Sequence, residues 1–296
     1  MFDTPILLVI FNRPDTTRKV FAVLRKIRPR TLFIAADGPR RGVISDRKRC
    51  SEARAIVRSI SWKCDVKYFF RKRNKGCGLN MIGAMTWFFK SVPEGIILED
   101  DCVPDESFFP YCRELLRRYR HNPTIMTISG DNFQGSHKRG NASYYFSVFP
   151  SIWGWATWRR SWRLYNHSLG HVDMNLIRKY FPQQNEYEYW RKIFTWVERG
   201  PADIWDYQWV YASWKNNGLS VIPQSNLVTN IGMDANATHT RSAHRLTVQA
   251  TPMTFPLRHP ETIQADSRAD MLTEHRYYNY KDNGILRFIN QLVRKF

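Results

Sequence analysis

Continuous apolar runs alternate with stretches of helical periodicity through the first half of the chain. Residues 5–11, PILLVIF, and 31–36, TLFIAA, have no polar interruption, the pattern of strands buried on both faces. Residues 66–70, 96–98 and 125–129 repeat it more briefly. Between the runs, Val20, Val23, Leu24 and Ile27 share one helical face behind Asp15 or Thr16 as caps. Residues 46–60, rich in basic side chains, and 79–89 also read as helices. So do residues 107–119, with Phe108, Phe109, Tyr111, Leu115 and Leu116 as the apolar face. Strand–helix alternation of this kind predicts βαβ units and an α/β fold with a mostly parallel central sheet flanked by helices.

Each predicted strand ends in polar residues: Asn12 and Arg13, Asp37, the 71–78 loop RKRNKGCG, the triplet Glu99–Asp100–Asp101, and Asp131. The carboxyl edge of such a sheet is where ligands bind. Three adjacent carboxylates are too costly to bury, so they belong where the strand leaves the core, with Asp100 facing away from its two neighbours. A divalent cation, Mg²⁺ or Mn²⁺, would relieve their repulsion, since hard cations take oxygen ligands. A charged turn explains the acids equally well at this point. GxGxxG does not follow the first strand and a P-loop is absent; Gly76 and Gly78 match either only weakly.

The second half changes character. Residues 149–162, FPSIWGWATWRRSW, hold four Trp, either plain core or a wall for a sugar ring. Residues 176–197 read as one amphipathic helix. Residues 203–214, DIWDYQWVYASW, read as another, capped by Asp203 or started by Asp206. A short strand is expected at 219–223 and a polar binding loop at 226–240. Residues 284–296, GILRFINQLVRKF, show an apolar helical face flanked by cations. They are expected to dock on the domain or to lie in a membrane interface.

Length and charge narrow the classes. The 296 residues can bury one large core or two small ones, and the formal charge of +19 calls for an anionic partner: nucleic acid, membrane surface or phosphorylated substrate. The five cysteines form no CxxC pair, which suggests free thiols in a reducing compartment. No signal peptide and no membrane-spanning stretch are evident.

With these motifs in order, the chain resembles the GT-A-fold glycosyltransferases that use nucleotide-diphospho-sugars, closest in pattern to the inverting N-acetylglucosaminyltransferase I type. The resemblance is strongest over residues 95–240 and weaker over 5–37. It implies that PILLVIFNRP, with Asn12 and Arg13, approaches the nucleotide and that Asp37 contacts the base. It makes Asp101 the metal ligand and turns Glu99 and Asp100 toward sugar and ribose. VFPSIWGW resembles a segment FPGLGW beside the donor, which brings Trp153 and Trp155 to it. IWDYQW resembles FWDDW, whose first Asp is the general base; that position is Asp206. The loop ending ATHT resembles one ending SHG that closes over the diphosphate, which gives His239 that role. Arg71, Arg73 and Lys75 are further cations for the phosphates. The second acid of FWDDW is Tyr207 here, so acceptor contacts should differ. Members of that type carry a membrane anchor in an oxidising lumen. Neither an anchor nor paired cysteines are seen here, so the expected relative is cytoplasmic, or peripheral on the inner face of the membrane, in bacterial surface-polysaccharide synthesis.

The expected function is metal-dependent inverting transfer, with Mn²⁺ or Mg²⁺. The donor would be a UDP-sugar, UDP-GlcNAc among the options, and the acceptor a glycan or lipid-linked saccharide hydroxyl. The expected organisation is residues 1–135 as the nucleotide-sugar half, 136–250 as the acceptor and catalytic half, and 251–296 as a C-terminal extension. The partners are donor, saccharide acceptor and an anionic membrane surface. A basic nucleic-acid-binding protein and a glycoside hydrolase using two carboxylates stay open as alternatives. Acids interleaved with the cations at the strand ends count against nucleic acid.

Overall fold

A computed structural model describes residues 1–200, 203–232 and 248–278. His239 and the 284–296 helix expectation lie outside the described residues. The first apolar run is β1 (Ile6–Ile10), buried throughout. Pro14 opens α1 (Pro14–Ile27) at the first turn, where its missing N–H costs nothing. The alternation continues through β2 (Thr31–Ala36), α2 (Ile44–Arg58), β3 (Asp65–Phe70), α3 (Cys77–Ser91) and β4 (Glu94–Glu99). A short β5 (Cys102–Pro104), α4 (Phe108–Tyr119) and β6 (Ile125–Ser129) follow. The second half holds β7 (Tyr144–Ser147), β8 (Trp155–Trp158), α5 (Arg159–Trp162), α6 (Met174–Tyr180), α7 (Gln184–Glu198) and α8 (Asp206–Lys215). It ends with β9 (Leu219–Pro223), β10 (Val228–Asn230) and α9 (Ser267–Thr273), which runs into a π-helical turn, Glu274–Tyr278.

Among the described residues the main sheet has eight strands in the order β3-β2-β1-β4-β8-β6-β9-β7. β1 pairs in parallel with β2 and β4, β2 with β3, and β6 with β9. The α/β expectation of a mostly parallel sheet flanked by helices therefore holds. Two antiparallel strands complicate it. β8 is wedged between β4 and β6, and β7 closes the far edge against β9. Alternate residues of β1 and β2 feed two cores. Ile6, Leu8, Leu32 and Ile34 face α1 and α4, while Leu7, Val9, Phe33 and Ala35 face α3 and Trp209. A third, aromatic cluster of Phe149, Phe181, Trp190 and Trp214 binds α6, α7 and α8 together.

Two local expectations are corrected. The helix expected over 176–197 is two helices, because Pro182 cannot supply the N–H a helix interior needs. The loop expected over 226–240 begins as β10, antiparallel to β5 with Asn230 opposite Cys102. Described residues of the C-terminal extension join the cores. Met253 and Leu257 enter the main core, and Ala269 packs on Tyr145 and Ile222. Among the described residues no helix is long and apolar enough to cross a membrane.

Candidate active site

The acid triplet stands at the carboxyl end of β4, between the ends of β1 and β8. The β1 terminus comes to meet it. The Phe11 amide donates to Asp100 Oδ2 at 2.9 Å, and Arg13 Nη1 lies 2.5 Å from Asp101 Oδ2 and 3.9 Å from Asp100 Oδ1. Arg13 can do this because Pro14 fixes the turn that starts α1. One guanidinium faces three carboxylates, and burial is deep. Burial above all, then the charge of Asp101, pushes Glu99 and Asp100 well above the usual carboxylate range. Asp206, the first residue of α8, is half-buried and close enough for its charge to add to the rise at Glu99. Glu99, Asp100 and Asp101 thus gather about Arg13, and Asp206 reaches Glu99 from α8. Cys77, at the start of α3, faces the same group. Its thiol is pushed up by burial and then by Glu99, Asp203, Asp206 and Asp101.

The 230–232 segment covers one side of the triplet. The Ile231 amide donates to the Asp101 carbonyl at 2.8 Å. Gly232 approaches so closely that a Cβ there would lie 2.0 Å from Asp101 Oδ2. The donor set is all oxygen and carries more negative charge than Arg13 neutralises, which fits a hard divalent cation. Among the described residues no three ligating side chains converge on one point. Asp101 would therefore share the cation with phosphate and water oxygens, the usual manner of Mg²⁺.

Other expected site residues have structural roles. Asp37 is buried at the end of β2. It accepts from the amides of Gly38, Lys75 and Gly76 and from Asn74 Nδ2, between 2.8 and 3.1 Å. Its oxygens are thereby occupied in holding the 74–76 loop, although burial raises its pKa. Asn12 donates to Asp46 Oδ1 at 2.7 Å, beside the Arg40–Asp46 ion pair. Arg71 lies over the Phe69 ring and donates to Asn80, above Gly83, which leaves room for its guanidinium. The Lys75 side chain is exposed, and only its amide touches Asp37. Trp153 is half-buried, edge-on to Phe133. Trp155 has no exposed surface. It is fully buried in β8, stacked on Trp205 and against Trp209, because a central strand presents both faces to core.

Of the two starts expected for α8, Asp206 holds and Asp203 does not. Asp203 caps α3 instead of α8, accepting from the amides of Cys77 and Gly78 at 2.7 Å each. Gly76, at φ +85°, and Gly78 are glycine because a Cβ would strike Asp203 or Ile204. The weak phosphate-loop match at 76–78 is thus a packing solution that pins the approach to α8, and with it Asp206, onto α3. Asp131, at the end of β6, was legible only as one more polar strand end. It is buried, its Oδ1 has no partner among the described residues, and burial pushes its pKa well above the usual carboxylate range.

No family model matches the chain, and no curated protein matches it. Solved structures similar to parts of it include apo xyloside xylosyltransferase 1 from mouse, at 14% identity, covering 63% of this chain and 76% of that one with a TM-score of 0.34. Apo UDP-glucose pyrophosphorylase is 9% identical over 78% of this chain and 93% of that one, with a TM-score of 0.36. 4-Diphosphocytidyl-2C-methyl-D-erythritol synthase from Anaerococcus prevotii is 7% identical over 62% and 85%, with a TM-score of 0.35. At these TM-scores no property passes from those proteins to this chain.

Proposed function

We propose that the chain transfers a glycosyl group, with inversion, from a nucleotide-diphospho-sugar to a saccharide hydroxyl. The observation that carries this is the gathering of Glu99, Asp100 and Asp101 about Arg13 at the carboxyl edge of the parallel strands, with Asp206 acting on Glu99 from α8. Inverting transfer needs one base opposite the leaving group and positive charge at the leaving group. Asp206, on the rim of a desolvated acid cluster, accepts the proton of the acceptor hydroxyl as its oxygen bonds to the anomeric carbon. The anomeric C–O bond to the diphosphate breaks, and the nucleoside diphosphate departs with the electron pair. Arg13 stands where it can meet that charge. A Mn²⁺ or Mg²⁺ on Asp101 would neutralise the phosphates and hold them in line. Uridine is the first base to test, and a glycan or lipid-linked saccharide is the acceptor class.

Calorimetric titration of nucleoside diphosphates with and without Mn²⁺ tests donor binding. The expected result is metal-enhanced binding that Asp101→Ala abolishes. Asp206→Asn should bind nucleotide like the parent and lose about 10²–10⁴-fold in transfer rate. Sugar released to water at equal rates with and without acceptor would make the chain a hydrolase and end the proposal.

A further inference from the structure

A second charged feature lies along α2 and the turns after β2 and β3, at the outer edge of the sheet. Between α2 and the turn after β3 runs an open cavity of about 800 Å³, whose cations are Arg47, Arg54, Arg58 and Lys72. It continues into a second of about 910 Å³ that shares Pro39, Arg47 and Lys72 and adds Arg40, Arg41 and Arg73. No carboxylate lines either cavity. Asp46, beside them, is consumed by Arg40 at 2.7 Å. Arg54 is pinned by the carbonyls of Asp37 and Arg71 at 2.9 and 2.7 Å, and it lies with Arg58 about the Phe70 ring. Arg40 has Asp46 as its partner; the other groove cations are held close together with no carboxylate lining the cavities, a cost that an anionic surface would repay.

At the rim of this groove the chain turns at Gly42, φ +79°, and enters α2 with Ile44 91% exposed, more than any other large apolar side chain described. One exposed aliphatic residue is ordinary by itself. Here it lines the second cavity together with Arg40, Arg41, Arg47 and Lys72. Free phosphate or a nucleic acid would use the cations and leave Ile44 in water. A lipid surface uses both: headgroup phosphates take the cations, and the aliphatic tip enters the acyl boundary.

We infer that the α2 rim, Ile44 with the groove cations around Arg47 and Lys72, docks the protein on an anionic phospholipid surface. The inference rests on the groove and Ile44 and not on the proposed transfer chemistry. The groove's rim meets the turn after β1, where Arg40 lies over the Phe11 ring and Asn12 donates to Asp46 at 2.7 Å, so UDP binding is read beside flotation in every variant.

The test is flotation of the full-length chain with phosphatidylglycerol-containing vesicles and with pure phosphatidylcholine vesicles. Wild type should float only with the anionic ones and be released by salt. Arg47→Gln with Lys72→Gln should weaken partitioning about 30-fold, at about 1 kcal/mol per cation near the surface. Ile44→Ser should weaken it about tenfold, part of what burying one aliphatic side chain yields. All three positions are exposed, so circular dichroism and Mn²⁺-dependent UDP binding should match wild type. Flotation unchanged in every variant would place the membrane contact elsewhere and overturn the inference. So would soluble polyphosphate or RNA binding the groove while wild type ignores anionic vesicles, or a loss of UDP affinity in the groove variants with flotation intact. Failure of wild type to bind UDP, with vesicle binding as expected, would touch only the proposed function.

Discussion

Arg13 Nη1 lies 2.5 Å from Asp101 Oδ2, joining the end of β1 to the end of β4 across the acid cluster. Asp100 and Glu99 also feel this guanidinium, and its charge opposes the rise that burial imposes on them. Arg13 therefore acts as an internal counter-ion at the place where a donor's phosphates and metal are proposed to bind.

Removing it should leave three carboxylates repelling one another in a desolvated site. Arg13→Met keeps the side-chain stem and loses the charge. The expected loss is about 3 kcal/mol, the lower end for breaking a buried pair, because Arg13 is 22% exposed. Urea denaturation measures it. Mn²⁺ should return part of the lost stability to the variant and add less to wild type. No effect of metal on either protein would argue against a cation at Asp101.

Gly232 tests the same oxygen from the other side. A methyl group there would lie 2.0 Å from Asp101 Oδ2, so in Gly232→Ala the carboxylate must turn away. The far end of a side chain can move, and the fold should survive with a melting temperature close to wild type. Metal-enhanced nucleotide binding should fall at least tenfold. Unchanged binding would show that the position of Asp101 is not what the nucleotide reads.

Asp203 joins α3 to the approach to α8, and its two accepted hydrogen bonds make it a cap. Asp203→Ala should cost about 1 kcal/mol, the usual cost of losing an N-cap. Gly76→Ala should cost more, since it meets both a positive φ and a carboxylate 2.4 Å from the new Cβ. Chemical denaturation of the two variants and the double variant gives the coupling. If the two losses simply add, the glycine is required by its backbone angle and not by Asp203.

The sheet and the acid triplet were legible because they rest on local pattern. Continuous apolar runs gave β1, β2 and β6 almost to the residue, and the cost of burying three charges put Glu99 at a strand end. What stayed hidden depends on distant pairing. The four-residue β8 is apolar and aromatic on both faces, a pattern shared by a sugar wall and a central strand. Only its wedging between β4 and β6 makes Trp155 core. Asp203 looked like a cap for the helix next to it in sequence; its actual partners are 126 and 125 residues away. Asp37 looked ligand-facing because it ends a strand, and the amides that occupy it come from the 74–76 loop.

The C-terminal elements carry a pH dependence of their own. Asp270 in α9 accepts from Ser147 Oγ at 2.5 Å and from the Val148 amide at 3.2 Å. Burial outweighs those bonds and pushes its pKa up to about 7, with Asp266 adding to the rise and Arg139 opposing it. Glu274, which accepts from Trp190 Nε1 at 2.9 Å, is likewise pushed by burial to about 7, with Glu186 and Asp270 adding to it. In the unfolded chain these acids titrate near 4, so between about pH 4 and 7 the folded state holds protons that the unfolded state has lost. Stability must therefore fall as pH rises through that window and level off above it. Asp270→Asn keeps an acceptor for Ser147 and removes the titration. Wild type should lose on the order of 2–4 kcal/mol more than this variant between pH 4 and 8, measured by urea denaturation at each pH. Other buried acids, Asp131 among them, slope both curves alike and cancel in the difference. Parallel curves would mean that Asp270 stays ionised in the folded protein, held by Ser147, Val148 and Arg139 against its burial.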